Sequence, residues 1–526
     1  MSDAAPRGHE SSRNIVICSD GTGNSANKDR GTNVFKLYEA VDIHGFRTGT
    51  VPRQFAFYDD GVGTDPLLPV KLLGTMFGYG LSRNVRRLYT NLARVYEPGD
   101  KLFLFGFSRG AFTARTLAGL IECCGIPDRN ACPTSAELRR AVKESYNEYR
   151  RRYRTFWGRM FRADYKEEAP AQRTQLKALV HPVHAPEGKI KIEFIGVWDT
   201  VDAVGTPFDG LADFWDKYVY PFRFHDRGLT PQVVRACHAI SIDDERQTFR
   251  PVLWNEETAT AGQIEQVWFA GVHSNVGGGY PKQGMSLVAL DWMMAQAEAR
   301  GLKFIGSDLA SIREHRDVHD TLYDSRGGLG VYYRWLPRDI AKICAGNRVT
   351  PKIHVSVLER IAQGTGGYAP GNIPANLEVV GTPGTPGPAQ LDRMRNLLQS
   401  ELNSLGVSSL LGRSDMQRQV RVGRFSYYSF LALSIAALCL GLLQSLPDWR
   451  NLGRLELAVE LGDLLIQLWN EFPFSIKLWD VVKNVAWWLV PGIIICYVLA
   501  SKVDGGMDRC FSAFWHGLRA RLRKLS

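Results

Sequence analysis

Hydrophobic positions fall into two regimes along this chain of 526 residues. Through roughly the first three quarters, short apolar runs alternate with longer stretches whose apolar residues return every three or four positions. Residues 15–18, 54–58, 101–105, 190–197 and 266–272 are short, rich in aliphatic and aromatic side chains, and closed by Gly, Asp or Ser. They predict buried strands. Residues 33–42, 81–96, 111–123 and 285–299 predict helices. Strands this apolar leave no polar face for water, so the alternation predicts a mostly parallel sheet with helices on both faces, an α/β fold.

Two stretches interrupt that rhythm. Thr134-x-x-Glu137 is a capping box that opens a helix, and residues 134–180 read as a cap or lid inserted between strands. From Arg139 to Lys166 there are ten basic and three acidic residues, interleaved with Tyr146, Tyr149, Tyr153, Phe156, Trp157, Phe161 and Tyr165. Such a mixture suits a membrane interface, where rings lie at headgroup depth and guanidinium groups meet phosphate; a solvated basic helix is the alternative. The second interruption, residues 364–388, is rich in Gly and Pro and ends in a linker, GTPGTPGP.

The second regime begins at Phe425. Residues 425–446 form an uncharged run of 22, about 33 Å long as a helix and enough to cross a bilayer core. Residues 485–501 form another uncharged run of 17, with Trp487, Trp488 and Tyr497 near its ends. Arg413, Arg418, Arg421 and Arg424 precede the first run; Lys502, Arg509, Arg519, Arg521, Arg523 and Lys524 follow the second. The segment between them carries four basic and six acidic residues. The positive-inside rule then places both termini and the N-terminal domain in the cytoplasm, at the inner membrane, with a short loop outside. The first 14 residues have no apolar core and are not a secretory signal. In the tail, Phe511, Phe514, Trp515, Leu518, Leu522 and Leu525 share one helical face. That face is expected to lie on an anionic leaflet or to pack on the main domain. The expected organisation is a tail (1–13), an α/β domain (14–380), a linker and helix (381–424), a transmembrane pair (425–501) and a basic amphipathic tail (502–526).

Composition narrows the function classes. Hydrophobic residues at 45% exclude a disordered chain. Nine cysteines without a C-x-x-C pair exclude a disulfide scaffold and speak against a zinc ribbon. The formal charge of +10 favours an acidic partner, and the apolar runs beside the basic tail select lipid over nucleic acid.

The candidate chemistry centres on Gly106-Phe-Ser108-Arg109-Gly110, a G-x-S-x-G between a predicted strand and a predicted helix. That is the setting of a nucleophile elbow, where Gly106 and Gly110 permit a turn too tight for larger side chains. A serine nucleophile needs a base, and the base needs an orienting acid. Asp199 ends one predicted strand and His273 follows another, in the order Ser, acid, His. Asp202 competes with Asp199; His238 competes with His273 but sits in a helix-like stretch. The backbone N–H of Arg109 and those of the loop Ser19-Asp20-Gly21-Thr22 are the candidate oxyanion donors. Asp20 orients that loop, and Asp60, in Asp59-Asp60-Gly61, shapes the pocket. No Gly-Lys-[Ser/Thr] follows the first loop and no bidentate Glu follows the second, so neither a phosphate loop nor a calcium loop is expected. The chemistry calls for no cofactor and no metal.

SDGTGNS, YDDGVGT, GFSRGAFTAR, GVWDTVDAVG and WFAGVHSNVGGGYP occur in this order, followed by IHVSVLER and YAPGNIP. Together they resemble the α/β-hydrolase domain of type VI secretion phospholipase effectors, over about residues 14–380. The resemblance implies Ser108 as nucleophile, Asp199 as acid and His273 as base, acting on phospholipid or lysophospholipid. The two C-terminal spans depart from it and suit a resident membrane enzyme. An esterase or thioesterase on a soluble substrate, and a non-catalytic membrane scaffold, are the competing expectations.

Overall fold

The computed structural model describes residues 12–21, 31–49, 52–61, 76–151, 182–184, 190–201, 228–257, 259–327, 331, 333, 335–382, 387–446, 460, 463, 483–484 and 487–525. Ten strands are found among them: β1 (Asn14–Ser19), β2 (Gln54–Asp59), β3 (Lys101–Phe107), β4 (Ile126–Pro127), β5 (Val183–His184), β6 (Ile192–Trp198), β7 (Ala236–Ser241), β8 (Ile264–Phe269), β9 (Lys352–His354) and β10 (Glu378–Val380). The helices are α1 (Asn33–Ala40), α2 (Met76–Val95), α3 (Arg109–Cys124), α4 (Ser135–Arg151), α5 (His273–Gly277), α6 (Gly284–Glu298), α7 (Gly306–His315), α8 (Ile340–Ala345), α9 (Val355–Gln363), α10 (Pro388–Ser404), α11 (Ser414–Gln444) and α12 (Val490–Arg523).

Eight of these strands form one sheet in the order β10-β9-β8-β7-β6-β3-β1-β2, and every pairing in it is parallel. The period-two alternation of a strand decides which side chain meets which layer. Ile15, Ile17, Leu102 and Leu104 point to one face, where α2, α3 and α4 cover them. Val16, Cys18, Phe103, Phe105 and Phe107 point to the other, under α1, α6 and α7. Both faces are dry, which is why these strands read as unbroken apolar runs.

The parallel register brings all strand C-termini to one edge. Ser19 pairs with Gly106, and Phe107 pairs with Trp198. The residues that follow β1, β3 and β6 are therefore neighbours. The chain order runs outward from β1 to β2 on one side, then through β3 to β6 on the other. The crevice between β1 and β3 is the switch point at which open α/β sheets place their sites.

Strand β7 departs from expectation: the helix-like stretch around His238 is a central strand. Ala-Cys-His-Ala-Ile-Ser carries little β-branched character, and tertiary pairing on both sides overrides its weak preference. The capping box forms, with Thr134 Oγ1 accepting from the Glu137 N–H at 3.2 Å and Glu137 accepting from the Thr134 N–H at 2.9 Å. On the helix it opens, however, Tyr146 and Tyr149 face inward. Tyr146 donates to Ser82 Oγ at 2.8 Å, and both rings join the core of the α2–α3 layer. Arg139, Arg140 and Lys143 point to water. The Tyr146 and Tyr149 rings are therefore core residues and are not available to a membrane interface. Residues 152–181, with Tyr153, Phe156, Trp157, Phe161 and Tyr165, lie outside the described residues, as does Asp202.

A third cluster joins the sheet to the C-terminal helices. Helices α8, α9 and α10, the first half of α11 and the second half of α12 pack over Ile240, Ile242 and Trp268. Helices α11 and α12 run antiparallel: Gly423 lies against Val503, and Gly492 against Leu433. Both are long and apolar enough to cross a membrane. Phe425, Leu438, Trp488, Ile494 and Ile495 expose more than half of their surface there. The tail takes the packed alternative. Trp515 is fully buried and donates to the Pro370 carbonyl at 2.8 Å, while Phe511, Leu518 and Leu522 line the same face. Its apolar stripe is used by the domain, not by a leaflet.

Candidate active site

The elbow is built by two glycines and one strained serine. A Cβ on Gly106 would sit 2.4 Å from the Gly110 carbonyl oxygen; one on Gly110 would sit 2.1 Å from the Ser19 oxygen. Only glycine lets α3 start this close to β3 and to the loop after β1. Ser108, between them, takes φ +56°, a conformation that a non-glycine residue holds only when its surroundings enforce it. Here the enforcing contact is its N–H, which donates to the Trp198 carbonyl at 3.0 Å.

Asp199 follows Trp198 directly and also has a positive φ, +34°. Its carboxylate is fully buried. Oδ2 lies 2.6 Å from Nδ1 of His273. The same carboxylate accepts from the Ser241 N–H at 3.0 Å and the Ser241 hydroxyl at 3.1 Å. Arg338 grips both oxygens, at 2.8 and 2.9 Å. Burial pushes Asp199 up, but the Arg338 guanidinium and the His273 hydrogen bond outweigh it and hold the carboxyl well below its usual range. His273 opens α5 and its ring is held between Phe107, at 4.6 Å, and Phe249, at 4.9 Å. Burial lowers its pKa below the ordinary value, against the opposing pull of Asp199. Its N–H donates to Asp244 at 3.2 Å, and Asp243 accepts from the Gly271 N–H at 2.6 Å. These two successive carboxylates brace the turn that carries the imidazole.

The structure therefore brings Asp199 and His273 together. Ser108 is held at the same sheet edge by its N–H on Trp198, the residue before Asp199, and no hydrogen bond joins its hydroxyl to His273. Arg109 is the first residue of α3, where backbone N–H groups lack helical partners. Gly21 is placed beside the elbow, but its N–H is already engaged by Asp20 Oδ1 at 2.6 Å. Thr22 lies outside the described residues. Asp20 is a brace: its other oxygen accepts from Thr32 and Tyr58, both at 2.6 Å. Asp60 lies just past β2, and its carbonyl accepts from Asn84 at 3.4 Å. His238 is fully buried in β7, accepts from the Thr200 N–H at 3.1 Å, and is pushed down to about 3 by burial. It is a satisfied core residue. No cluster of metal-ligating side chains is found among the described residues.

Sequence reasoning missed Arg338, Ser241, Asp244 and Phe249. Ser241 and Asp244 follow β7, and recognising that strand would have put them at the same sheet edge. Arg338, in Trp-Leu-Pro-Arg-Asp, belongs to no motif.

A parallel α/β sheet with a serine elbow at its switch point and a buried His–Asp pair beside it defines the class: hydrolase-type α/β proteins. Within that class the family is specific. A family model described as the type VI secretion phospholipase effector Tle1-like catalytic domain matches residues 13–296, more than half of the chain, and the protein belongs to that family. An uncharacterized protein of Saccharomyces cerevisiae is 29% identical over 259 residues, covering 47% of this chain and 33% of that protein. The chain thus matches about a third of that relative's length. A crystal structure of an uncharacterized protein from Pseudomonas aeruginosa overlays at a TM-score of 0.35 with 18% identity, covering 74% of this chain and 59% of that one. The Tle1 effector bound to the VgrG spike of a type VI secretion system overlays at 0.29 with 16% identity, covering 52% of each chain. Overlays this loose say nothing of individual residues.

Proposed function

We propose that the protein is a membrane-anchored serine hydrolase that cleaves acyl ester bonds of phospholipids. Ser108 Oγ attacks the ester carbonyl and passes its proton to Nε2 of His273. Asp199 fixes the imidazole tautomer through Nδ1 and stabilises the imidazolium. The Arg109 N–H and a donor from the loop after β1 receive the oxyanion. The alcohol, a lysophospholipid, leaves with the proton from His273. Water then attacks the acyl-enzyme and releases the fatty acid. The observation that carries this reading is the buried His273–Asp199 contact of 2.6 Å beside the Ser108 elbow, in a chain of a phospholipase effector family. The open Ser108–His273 leg is compatible with it, because catalytic hydrogen bonds often tighten only when substrate binds. Exposed apolar surface on α11 and α12 supports anchoring. The arginines before α11's apolar stretch and after α12's support a cytoplasmic position for the domain.

The test is purified full-length protein mixed with phospholipid vesicles, assayed for fatty acid and lysophospholipid, with Ser108→Ala prepared in parallel. Release lost in the folded variant, by at least about 10³-fold, supports a serine phospholipase. Equal release from both proteins rejects Ser108 as nucleophile. A wild-type protein that hydrolyses a soluble p-nitrophenyl ester but no vesicle lipid points to a soluble substrate. A folded wild-type protein inert to both returns the scaffold reading.

A further inference from the structure

We infer that Arg338 is a positioning residue: it fixes Asp199 and the seat of His273, and its charge sets the pH at which His273 can act as a base. The inference rests on the serine-hydrolase reading of the site.

Four oxygens meet this one guanidinium. Two belong to Asp199, at 2.8 and 2.9 Å. The others are the Ser241 carbonyl, at 2.5 Å, and the Phe249 carbonyl, at 2.6 Å. They come from three separate segments: the turn after β6, the end of β7, and the short turn whose Phe249 ring lies on His273. Arg338 is 4% exposed and Asp199 is 0% exposed. A planar five-donor fork can satisfy such a set; a lysine, with three donors on one nitrogen, cannot reproduce the geometry. Arg338 thus fixes the acid directly and the aromatic wall of the base through its backbone.

The charge has its own consequence. A lone buried carboxylate beside His273 would stabilise the imidazolium and raise the pH needed to free the base. Arg338 offsets that field, because its guanidinium lies on the same two oxygens. The other ionisable groups around the pair are already partnered. Asp244 pairs with Arg246 at 2.6 Å and accepts from the His273 N–H. Asp243 accepts from Tyr368 at 2.9 Å and from the Gly271 N–H. His238, on the far side of Asp199, is held neutral by burial. Arg338 is the fixed positive charge in direct contact with Asp199, so its removal should move the titration of His273 upward.

The test uses full-length protein in detergent and a fluorophosphonate probe, which needs no knowledge of the substrate. Ser108 Oγ forms the P–O bond, the P–F bond breaks, fluoride leaves, and His273 takes the serine proton. Second-order labelling rates are measured from roughly pH 5 to 9 for the wild type, Arg338→Lys and Arg338→Gln. Arg338→Gln is expected to label about 10- to 100-fold more slowly at its plateau. Its midpoint should lie about one pH unit higher. Arg338→Lys should keep the midpoint near that of the wild type while labelling at least about fivefold more slowly, since charge is kept and the fork is lost. A folded Arg338→Gln with the wild-type midpoint and rate overturns the inference. If that variant does not fold, Arg338→Lys decides: a wild-type rate overturns it. A folded wild type that takes no label at Ser108 sinks the hydrolase reading itself, and this inference with it.

Discussion

At the scale of single residues, the elbow shows how little room the site leaves. Gly110 has the tightest demand, because its missing side chain is where the Ser19 carbonyl lies. Gly110→Ala should therefore destabilise the fold by about 2–4 kcal/mol, more than an ordinary overpacked methyl, since the obstacle is backbone and cannot rotate away. Thermal denaturation of the variant beside the wild type checks this; a melting point within the scatter of the wild type would refute it. The motif itself was legible in the sequence, because G-x-S-x-G names both glycines and places the serine between a strand and a helix. The partners of Asp199 were not. Ser241 and Arg338 lie 42 and 139 positions away, and no local pattern announces a contact made only when the chain closes on itself.

At the scale of elements, strong periodicity was readable and weak propensity was not. Strands β1, β2, β3, β6 and β8 carry the aliphatic and aromatic runs that a doubly covered sheet demands, and each was predicted within a few residues. Strand β7, with two alanines and a histidine among six residues, owes its form to its neighbours. Helix α12 is the complementary case. Its stripe of Phe511, Trp515, Leu518 and Leu522 was plain, but a stripe does not say what covers it. The structure answers with α9 and the loop before β10. Trp515→Ala should cost about 3–5 kcal/mol, from the lost indole volume and the Pro370 carbonyl left without its donor. Denaturant melts of the detergent-purified protein test this, with Phe425→Ala, an exposed residue, as a comparison expected to change stability by less than about 0.5 kcal/mol. A second contact ties the hairpin toward the site. Trp335 packs against Gly423 of α11 and donates to Glu245 at 3.0 Å, three residues before Arg338. Tyr428 of α11 reaches Gln247 at 3.3 Å, in the same turn as Phe249.

At the scale of the whole molecule, the α/β body and the C-terminal helices share one core. Met416, Val420, Phe511, Trp515, Leu518 and Leu522 are buried against the body, so the chain does not divide cleanly after residue 404. Cutting before Ser414 to obtain a soluble enzyme should uncover an apolar face larger than the few hundred Å² a soluble monomer ordinarily tolerates. The expected product is aggregate on size-exclusion chromatography; a monodisperse, active fragment would refute this. The composition shift near residue 425 was visible in the sequence, but it does not mark the end of a folding unit, because Tyr427 and Phe430 beyond it still join the shared core.

The continuity of α12 has a further consequence. The helix runs unbroken for 34 residues, about 51 Å, from its apolar N-terminal half to the half docked on the domain. A hinge between the two halves would let the domain swing; acting as a tether, a helix continuous through both would leave little slack. In a bilayer, the depth of the apolar half would set the height of the body above the leaflet, and the tilt of the helix would become the tilt of the body. An enzyme on a loose stalk searches a hemisphere. This one would search a single plane at fixed altitude, moving only as fast as its own hairpin diffuses, and bilayer thickness would decide which bonds come within its reach.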